Sequence, residues 1–459
     1  MTERPDPFSR RISRSQFLKY TVGLGAAMLS ASLLPPPVAV AAALPPLPRP
    51  EGLHHALSHN PLPFGHEEFI AGLRRWEEAN QEPAGFAADF RQLLLDTARR
   101  CVADQGAWIN PGINYPEFFF CRDSFWLLAG LNDIHLSTVT VKRFREDQML
   151  NADGHAATAF YLDGSSPQWR DRDDESTLFY ILHNYLLFRL GGEIGIPSME
   201  AAHRFVAAHV REGRYLTTGE TRSFSEDGVP DERGAYHYWL DTLRIGTGEG
   251  SPEVIAYNQG LLCVALRALK SMGIALGEGE LERAEAAYAG MVNPEDECSI
   301  PQREGARLMD VSSLVGEALS LYLFDRPILS RERVEATFQR LNRCARVDYP
   351  DGAFLGYKVL CEADGKYLDS GQFLCSTFNS PGRYQNGGSW LLYDGLALYA
   401  AARHGVEGAA ELFAQRLRSE VRSERSSHEF LSTNPSHSGP NRPEELGYGW
   451  NAFLVNLLP

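Results

Sequence analysis

The sequence predicts an all-α protein built as an (α/α)6 barrel, in which six helical hairpins form two concentric rings. Helical periodicity dominates after residue 65, with about twelve strong segments and few convincing strands. No linker divides these segments, and several are apolar nearly all round, as the inner helices of such a barrel must be. An α-solenoid or a two-domain helical protein is the alternative, but no fixed-period repeat supports a solenoid.

Start and stop residues support the individual helices. Pro252 lies near the start of the segment 253–272, and Gly273 follows its end. In the segment 175–190 acidic residues lead the first turn, and Gly191 follows the last. The segments are 67–80, 84–105, 124–131, 175–190, 198–212, 253–272, 279–291, 311–323, 330–345, 388–403, 407–424 and 448–457.

Long loops rich in acidic residues, aromatic residues and glycine separate some of the helices. Loops of this length inside a compact domain usually serve a function. In an (α/α)6 barrel they would gather at one end of the inner ring and build a pocket. The loops are 106–123, 151–174, 214–252, 346–387 and 425–447.

The composition is that of an ordinary globular protein. The chain has 459 residues, of which 44% are hydrophobic and 22% are charged, which excludes collagen-like and disordered classes. Its net charge of −15, without basic blocks, argues against nucleic acid or an anionic membrane as a partner. The aromatic content of 11% suits a carbohydrate site and a large core equally well.

The first 43 residues have the order of an export signal. Basic residues, including Arg10 and Arg11, precede an apolar run from Tyr20 to Leu34, and Ala-x-Ala sites end at Ala41 and Ala43. The run SRSQFLK resembles the twin-arginine export motif, with Ser15 in place of the second arginine. We therefore expect an exported, periplasmic or extracellular protein that uses a Tat-like or Sec signal. An uncleaved anchor or a disordered basic tail is the alternative.

The remaining chain is expected to form one catalytic domain. Residues 44–64 are rich in proline and read as an extended lead-in, and residues 65–459 carry the barrel. The apolar run of the signal is too short for a good membrane span, so no span is expected in the mature form.

The seven cysteines indicate neither a zinc site nor a disulfide scaffold. They are widely spaced, and no Cys-x-x-Cys pair occurs. No cofactor and no metal site is expected, because no cluster of metal-binding residues has ligand spacing. A single pair such as Cys361 with Cys375 and a structural calcium ion in an acidic loop are left open.

The segment PEFFFCRDSFWLLAGL (116–131) is the first candidate site. Arg122 and Asp123 lie just before an apolar helix, beside Phe125 and Trp126. A carboxylate with aromatic walls suits the hydroxyl groups and the apolar face of a sugar. Asp123 as the N-cap of the helix is the structural alternative.

The segment 153–179 is the second candidate. Trp169 and Asp174 are predicted to face a pocket. The alternative is a solvated helix start that includes Asp173, Asp174 and Glu175, and this is the preferred interpretation for Glu175.

The segment AYHYWLDTLRIGTGEGSPEVIAYNQG (235–260) is the third. Asp241 follows three aromatic residues, Trp239 among them, and such surroundings can raise the pKa of an acid, as a general acid requires. A salt bridge between Asp241 and Arg244 is the alternative. Asn258 and Gln259, at a helix start, suit hydrogen bonds to a sugar.

The segment GRYQNGGSWLLYDGLALYAA (382–401) is the fourth. Gln385, Asn386 and two glycines precede Trp390, so that the backbone can approach a ligand and the indole can stack on it. A tight turn with a core tryptophan is the alternative.

The segment 426–458 is the fifth. Glu429 lies in a polar loop, 18 residues before the Gly447–Trp450 run that opens the last helix. Glu429 is either a functional carboxylate or only a surface acid.

Together the five segments resemble the inverting (α/α)6 glycosidases related to trehalase, processing α-glucosidase I and neutral invertase, the six-hairpin glycosidases. The motifs CRDSFW, YWLDTLR, YQNGGSW and HEF…GYGWNAF occur here in that family's order, over about residues 115–457. The Gly-Trp/Met-Asp-x-Ser pattern around the family's acid is absent, so Asp241 is matched by order and setting.

The resemblance implies a glycoside hydrolase that inverts the configuration of the anomeric carbon. Asp241 would protonate the leaving oxygen and Glu429 would activate a water molecule. Arg122, Asp123, Gln385 and Trp390 would hold the terminal sugar, with Trp450 close by. The implied substrate is a short oligosaccharide or glycoside, cleaved from its end, with an α-glucosidase-like activity as the first choice.

Other functions on the same barrel stay open. An unsaturated-uronyl hydrolase, a rhamnosidase-like enzyme or a lyase is the runner-up, since a fold does not settle the chemistry. A non-catalytic sugar-binding helical protein is the hypothesis from another class.

Overall fold

The computed structural model describes twelve α-helices, labelled α1 to α12 in chain order. Their bounds are His66–Ala79, Phe86–Arg100, Cys121–Leu131, Ile134–Glu146, Ser176–Arg189, Ile196–Ala208, Ala256–Ser271, Glu280–Met291, Val315–Phe324, Arg331–Cys344, Leu391–Arg403 and Ala409–Val421. The described residues are 66–80, 82, 85–103, 108–113, 118–146, 153–161, 174–217, 223–224, 230–231, 238–240, 242–243, 253–293, 300–373, 376, 378–422, 427–434 and 447–459.

Five α-helices and a final 3-10 helix, Gly449–Leu457, form a closed inner ring. Each member packs against the next in the order α3, α5, α7, α9, α11, the 3-10 helix and α3 again. These segments are buried on every side: all residues of α5 from Ser176 to Leu187 lie in the interior, as do those of α7 from Ala256 to Leu269. This is why their sequences show no polar face.

The other helices surround this ring. Helix α2 packs on α3 and the 3-10 helix, α4 and α6 on α5, α8 on α7, and α10 and α12 on α11, while α1 packs outside α12. Their sequences are two-faced: α10 buries Val334, Thr337, Phe338 and Leu341, which have helical spacing. Ser330 caps α10 by accepting a hydrogen bond from the backbone N–H of Arg333.

Two glycines allow adjacent inner helices to touch. Gly260 on α7 and Gly316 on α9 face each other, and a Cβ atom added to Gly316 would lie 2.3 Å from the Cα of Gly260. Only glycine permits such a close helix contact.

The strands that the structure describes pair into six short antiparallel ladders that lie between helices. Strand β9 pairs with β12 in the register Leu360↔Asp310, and the 3-10 helix Val311–Leu314 joins β9 to helix α9. The strands β1 to β12 are Val102–Ala103, Trp108–Ile109, Phe118–Phe120, Ala159–Tyr161, Val210–Arg211, Arg214–Tyr215, Ser223–Phe224, Pro230–Asp231, Leu308–Asp310, Arg346–Asp348, Phe354–Tyr357 and Leu360–Glu362.

The architecture agrees with the sequence prediction of an (α/α)6 barrel, with differences in individual elements. Helix α4 is not among the predicted segments, because its run Ser137–Val141 is rich in β-branched residues and reads weakly as helix. Packing against α5 stabilises it nonetheless. The last segment is a 3-10 helix rather than an α-helix. None of the described helices is long and apolar enough to cross a membrane.

Candidate active site

The candidate site lies where the inner helices begin. Arg122 and Asp123 are in the first turn of α3, Tyr257 is in the first turn of α7, and Tyr393 is in the first turn of α11. Contacts among these side chains place the starts of the inner helices at one end of the barrel. The partial positive charges of these helix ends favour carboxylates at this position.

A buried ionic cluster joins α3 and α5. The Arg122 guanidinium donates to Glu175 Oε1, and its Nη2 lies 3.3 Å from Asp123 Oδ2. Tyr448 donates its hydroxyl proton to Asp123 Oδ1 at 3.1 Å. The guanidinium also lies 5.8 Å from the ring of Trp450, so charge and aromatic surface meet here.

Two buried carboxylates share one guanidinium in this cluster, and the pKa of Glu175 is shifted there. Burial raises the pKa of Glu175 to about 7, and the negative charge of Asp123 adds to this rise. The positive charge of Arg122 and the hydrogen bonds from Arg122 and Tyr257 oppose it. Although burial by itself lowers the pKa of Arg122, the charges of Glu175 and Asp123 hold it well above the ordinary value. Arg122 is therefore a fixed positive charge, and Glu175 titrates near neutral pH.

Three tryptophans from distant parts of the chain converge beside the cluster. The ring centroids of Trp239 and Trp390 are 5.0 Å apart, and those of Trp390 and Trp450 are 5.3 Å apart. Tyr393 completes the group, 4.1 Å from Trp239 and 5.5 Å from Trp450. In the described part of the chain, the Tyr393 hydroxyl and the Trp450 indole N–H are buried without a hydrogen-bond partner. These two groups are suited to bind the hydroxyls of a ligand.

The segment on both sides of Asp241 is anchored, although Asp241 itself lies outside the described residues. Gln385 Oε1 accepts hydrogen bonds from the Thr242 backbone N–H at 3.0 Å and from the Thr242 hydroxyl at 2.5 Å. Gln385 Nε2 donates to the Trp239 carbonyl at 3.0 Å. Asn379 Nδ2 also donates to Thr242 Oγ1 at 3.0 Å. Trp239 and Thr242, on either side of the predicted acid in the sequence, are thus held in place by hydrogen bonds.

A second set of bonds ties the same segment to strand β9 and to the 3-10 helix Val311–Leu314 that precedes α9. The indole N–H of Trp239 donates to Ser312 Oγ at 2.8 Å, and Ser312 donates to Asp310 Oδ1 at 2.5 Å. The hydroxyl of Tyr238 donates to Asp310 Oδ2 at 3.0 Å. Burial raises the pKa of Asp310 to about 6, although the hydrogen bonds from Ser312 and Tyr238 oppose the rise.

Glu429 lies in a buried, firmly held segment. Its side chain is 1% exposed, which excludes the reading as a surface acid. The neighbouring Phe430 stacks on Trp390 with a centroid distance of 5.7 Å. Ser389 and Leu431 exchange two backbone hydrogen bonds, of 2.9 and 2.8 Å, which pair this segment with the chain just before Trp390. Glu429 is therefore brought to the tryptophan group by its own neighbours.

Several sequence interpretations need correction. Glu175 is not a solvated helix start, because it is 1% exposed and pairs with Arg122. Asp123 is not the N-cap of α3, since Phe120 occupies that position without a side-chain cap. Gln385 holds the chain around Asp241, and its predicted contact with a sugar stays a prediction. Short-range sequence patterns could not show these long-range partners.

Two other amides that are predicted to contact a sugar form hydrogen bonds within the protein. Gln259 accepts from the Tyr215 backbone N–H and donates to two backbone carbonyls, those of Gly213 and Ala284. Asn386 accepts from the Leu368 backbone N–H and donates to the carbonyls of Leu368 and Asn379. Both amides fix loops at the site end of the barrel.

The remaining predicted residues divide between core and site surroundings. Phe125 and Trp126 pack against Phe179 of α5 inside the inner ring, so they belong to the core. Asp174 and Asn258 are each 1% exposed, and the Asp174 carbonyl accepts a hydrogen bond from the Tyr215 hydroxyl. Trp169, like Asp241, lies outside the described residues.

Sequence reasoning missed Glu175, Tyr393 and Tyr448 as site residues. Glu175 and Tyr393 occupy the starts of inner helices, as Arg122 does, and this shared position is the signal that could have identified them. Within the described ranges no group of histidine, cysteine, aspartate and glutamate side chains could hold a metal ion.

No family model matches the sequence, and no curated protein matches it. Among solved structures, the chain is similar to the GH63 mannosylglycerate hydrolase from Thermus thermophilus in complex with Tris and D-glycerate. The TM-score is 0.51 and the identity 13%, over 80% of this chain and 99% of that chain. The same hydrolase in complex with glucose gives a TM-score of 0.51 and 14% identity over the same shares.

A wild-type glycosidase structure is also similar, with a TM-score of 0.48 and 15% identity over 82% of this chain and 97% of that chain. The likeness to the Thermus hydrolase confirms the predicted (α/α)6 barrel as the fold of this chain.

Proposed function

We propose that the chain is a glycoside hydrolase whose active site lies at the end of the barrel where the inner helices start. The observation that carries this proposal is the convergence of Trp239, Trp390 and Trp450 beside the buried carboxylates Asp123 and Glu175. Indole faces bind the apolar face of a sugar ring, and carboxylates accept hydrogen bonds from its hydroxyls.

The proposed mechanism is a single displacement with inversion at the anomeric carbon. Asp241 protonates the leaving glycosidic oxygen, and Glu429 takes a proton from the attacking water on the opposite face of the sugar. Such a mechanism requires the two carboxyl groups to be about 6.5–9.5 Å apart, so that a water molecule fits between sugar and base. The anchoring of Thr242 and Leu431 holds the chain near each carboxylate, as precise positioning demands.

The proposed sugar contacts follow from groups that have bonding capacity at the site. The Tyr393 hydroxyl and the Trp450 indole N–H are buried and have no partner among the described residues. The carboxyl group of Asp123 is held beside these groups by Tyr448 and Arg122. We infer that these side chains bind the terminal sugar, while Trp390 packs against its ring.

The proposed substrate is a short oligosaccharide or small glycoside cleaved from its end, with α-glucosides as the first choice. Glycosides of small acids also belong in any screen, because the Thermus neighbour is a mannosylglycerate hydrolase. We further propose that the protein is exported, since residues 1–43 have the basic, apolar and Ala-x-Ala order of a signal; these residues lie outside the described part of the chain.

The test is a screen of the purified protein against nitrophenyl glycosides, disaccharides and glycosyl-glycerates, with released sugar measured by NMR. Asp241→Asn and Glu429→Gln are expected to lower turnover by about 10²-fold or more, with sugar binding retained. Sugar binding by the wild-type protein without any turnover would instead support the non-catalytic alternative.

A further inference from the structure

A buried chain of charges connects the proposed base segment to the helical scaffold. Arg416 on α12 donates from Nε to Asp394 Oδ2 and from Nη1 to Glu420 Oε1, each at 2.7 Å. The other Glu420 oxygen faces His428, the residue before Glu429. The side chains of all four residues, Asp394, Arg416, Glu420 and His428, are 0% exposed.

Glu420 holds His428 by two atoms at once. Glu420 Oε2 accepts a hydrogen bond from the His428 backbone N–H at 3.0 Å and lies 2.7 Å from His428 Nδ1. Burial alone would raise the pKa of Glu420, but the charges of Arg416 and His428 lower it to about 2. Since the carboxylate is ionised and can only accept, Nδ1 must carry the proton.

Further bonds fix the chain on both sides of Glu429. Asn451 Nδ2 donates to the His428 carbonyl at 2.9 Å, and Ser389 pairs with Leu431 through two backbone hydrogen bonds. Ser389 also donates its hydroxyl proton to Asp394 Oδ2 at 2.6 Å, which returns to the same chain of charges. Glu429 therefore lies between His428, which is bound to Glu420, and Leu431, which is bound to Ser389. Ser389 in turn is bound to Asp394, a partner of Arg416.

We propose that Glu420 and His428 are positioning residues for Glu429. The Glu420 carboxylate, itself oriented by Arg416, fixes the backbone and ring of His428 and thereby sets the place of the Glu429 carboxylate. This inference rests on the proposed role of Glu429 as the base. A displacement of about 1 Å at a reacting group can cost about 10²-fold in rate, so a second set of residues that holds the base has a measurable effect.

The chain contains a matched control in Glu317. This buried carboxylate accepts hydrogen bonds from the backbone N–H groups of Ile328 and Leu329 at 2.9 and 3.0 Å, and lies 2.7 Å from His404 Nε2. Like Glu420, Glu317 contacts backbone N–H groups and one histidine: two N–H groups for Glu317 and one for Glu420. None of the partners of Glu317 adjoins a proposed catalytic residue. Glu317→Leu reports the general effect of removing such a carboxylate.

The experiment compares Glu420→Leu with Glu317→Leu. For Glu420→Leu we expect kcat to fall about 10²-fold with KM changed by no more than about threefold. For Glu317→Leu we expect kcat within about twofold of the wild type, although both variants lose thermal stability. Equal kcat values in the two variants would overturn the proposal.

Hydrogen exchange provides a readout that does not depend on the proposed reaction. Amides of residues 427–434 should exchange faster in Glu420→Leu and at the wild-type rate in Glu317→Leu. Unchanged protection in Glu420→Leu overturns the positioning role. Absence of turnover in the wild type, together with faster exchange in Glu420→Leu, would reject the proposed function and leave the structural role in place.

A milder pair of variants covers the case in which Glu420→Leu does not fold. His428→Leu removes the ring contact and keeps the backbone bond, and it should lower kcat about tenfold. His428→Asn restores a donor near the Nδ1 position and should recover kcat to within about threefold of the wild type. If His428→Asn is as slow as His428→Leu, the ring itself takes part in the chemistry and the positioning role is wrong.

Discussion

Gln385 accepts two hydrogen bonds from Thr242, one from the backbone N–H at 3.0 Å and one from the hydroxyl at 2.5 Å. These residues are separated by 143 positions in sequence, and Thr242 directly follows the predicted acid Asp241. The turn before Trp390 and the central acidic segment thus form one unit.

The first prediction concerns this unit. Gln385→Leu should lower kcat about tenfold or more, because it releases both Thr242 and the Trp239 carbonyl, while KM changes little. Gln385→Glu keeps the two bonds from Thr242 and should recover part of the loss. Steady-state kinetics on the substrate found by the screen provide the test. A rise in KM alone, with kcat unchanged, would show that Gln385 binds the sugar and does not position Asp241.

The second prediction concerns the pH dependence of stability at Glu175. Its pKa is raised from 4.5 to about 7, so the folded state binds a proton more tightly than the unfolded state. The protonated Glu175 side chain therefore contributes to the free energy of unfolding. This contribution is fully present below pH 4.5 and is lost as the pH rises towards 7. The free energy of unfolding of the wild type, relative to Glu175→Gln, should therefore fall over this interval and level off above it. Urea denaturation at several pH values measures this difference.

Glu420 should show the opposite dependence, and it serves as the internal comparison. Its pKa is lowered from 4.5 to about 2, so its contribution is present above pH 4.5 and is lost as the pH falls towards 2. Relative to Glu420→Gln, the wild type should lose stability on acidification. If both differences had the same slope with pH, the assignment of charge states in the two clusters would be wrong.

The next prediction concerns the contact between inner helices. Gly316→Ala should destabilise the protein by about 1–3 kcal/mol, because the added methyl group meets the backbone of Gly260. Gly290→Ala is the control: Gly290 is exposed on helix α8, and an added Cβ meets nothing within 4 Å. This control should be neutral or stabilise by up to about 1 kcal/mol. Chemical denaturation of both variants measures the difference, and an equal effect would contradict the close contact.

The barrel could be predicted from the sequence because the inner helices are apolar on every side. The runs 176–187 and 256–269 carry no polar face, which only a ring buried between neighbours explains. Helix α4 was not predicted because its β-branched residues suggest otherwise, and its stability comes from packing on α5. The hydrophobic pattern of the sequence therefore predicts the barrel better than it predicts the individual helices and their ends.

The site could be predicted in part. Trp239, Trp390 and Trp450 are recognisable in the sequence because each lies in or close to one of the long loops, with glycine or acidic neighbours. The partners of the polar residues are not, since the bonds between Arg122 and Glu175 and between Gln385 and Thr242 join positions far apart in the chain. The sequence suggests a solvated helix start for Glu175 because it does not show the ion pair with Arg122.

The configuration of the first sugar released is the most direct test of an inverting mechanism with Asp241 as acid and Glu429 as base. Hydrolysis of an active glycoside is followed by ¹H NMR before mutarotation. We expect this sugar to carry the anomeric configuration opposite to that of the substrate, because water attacks from the face across from the leaving group. A first product that retains the substrate's configuration would rule out the single displacement.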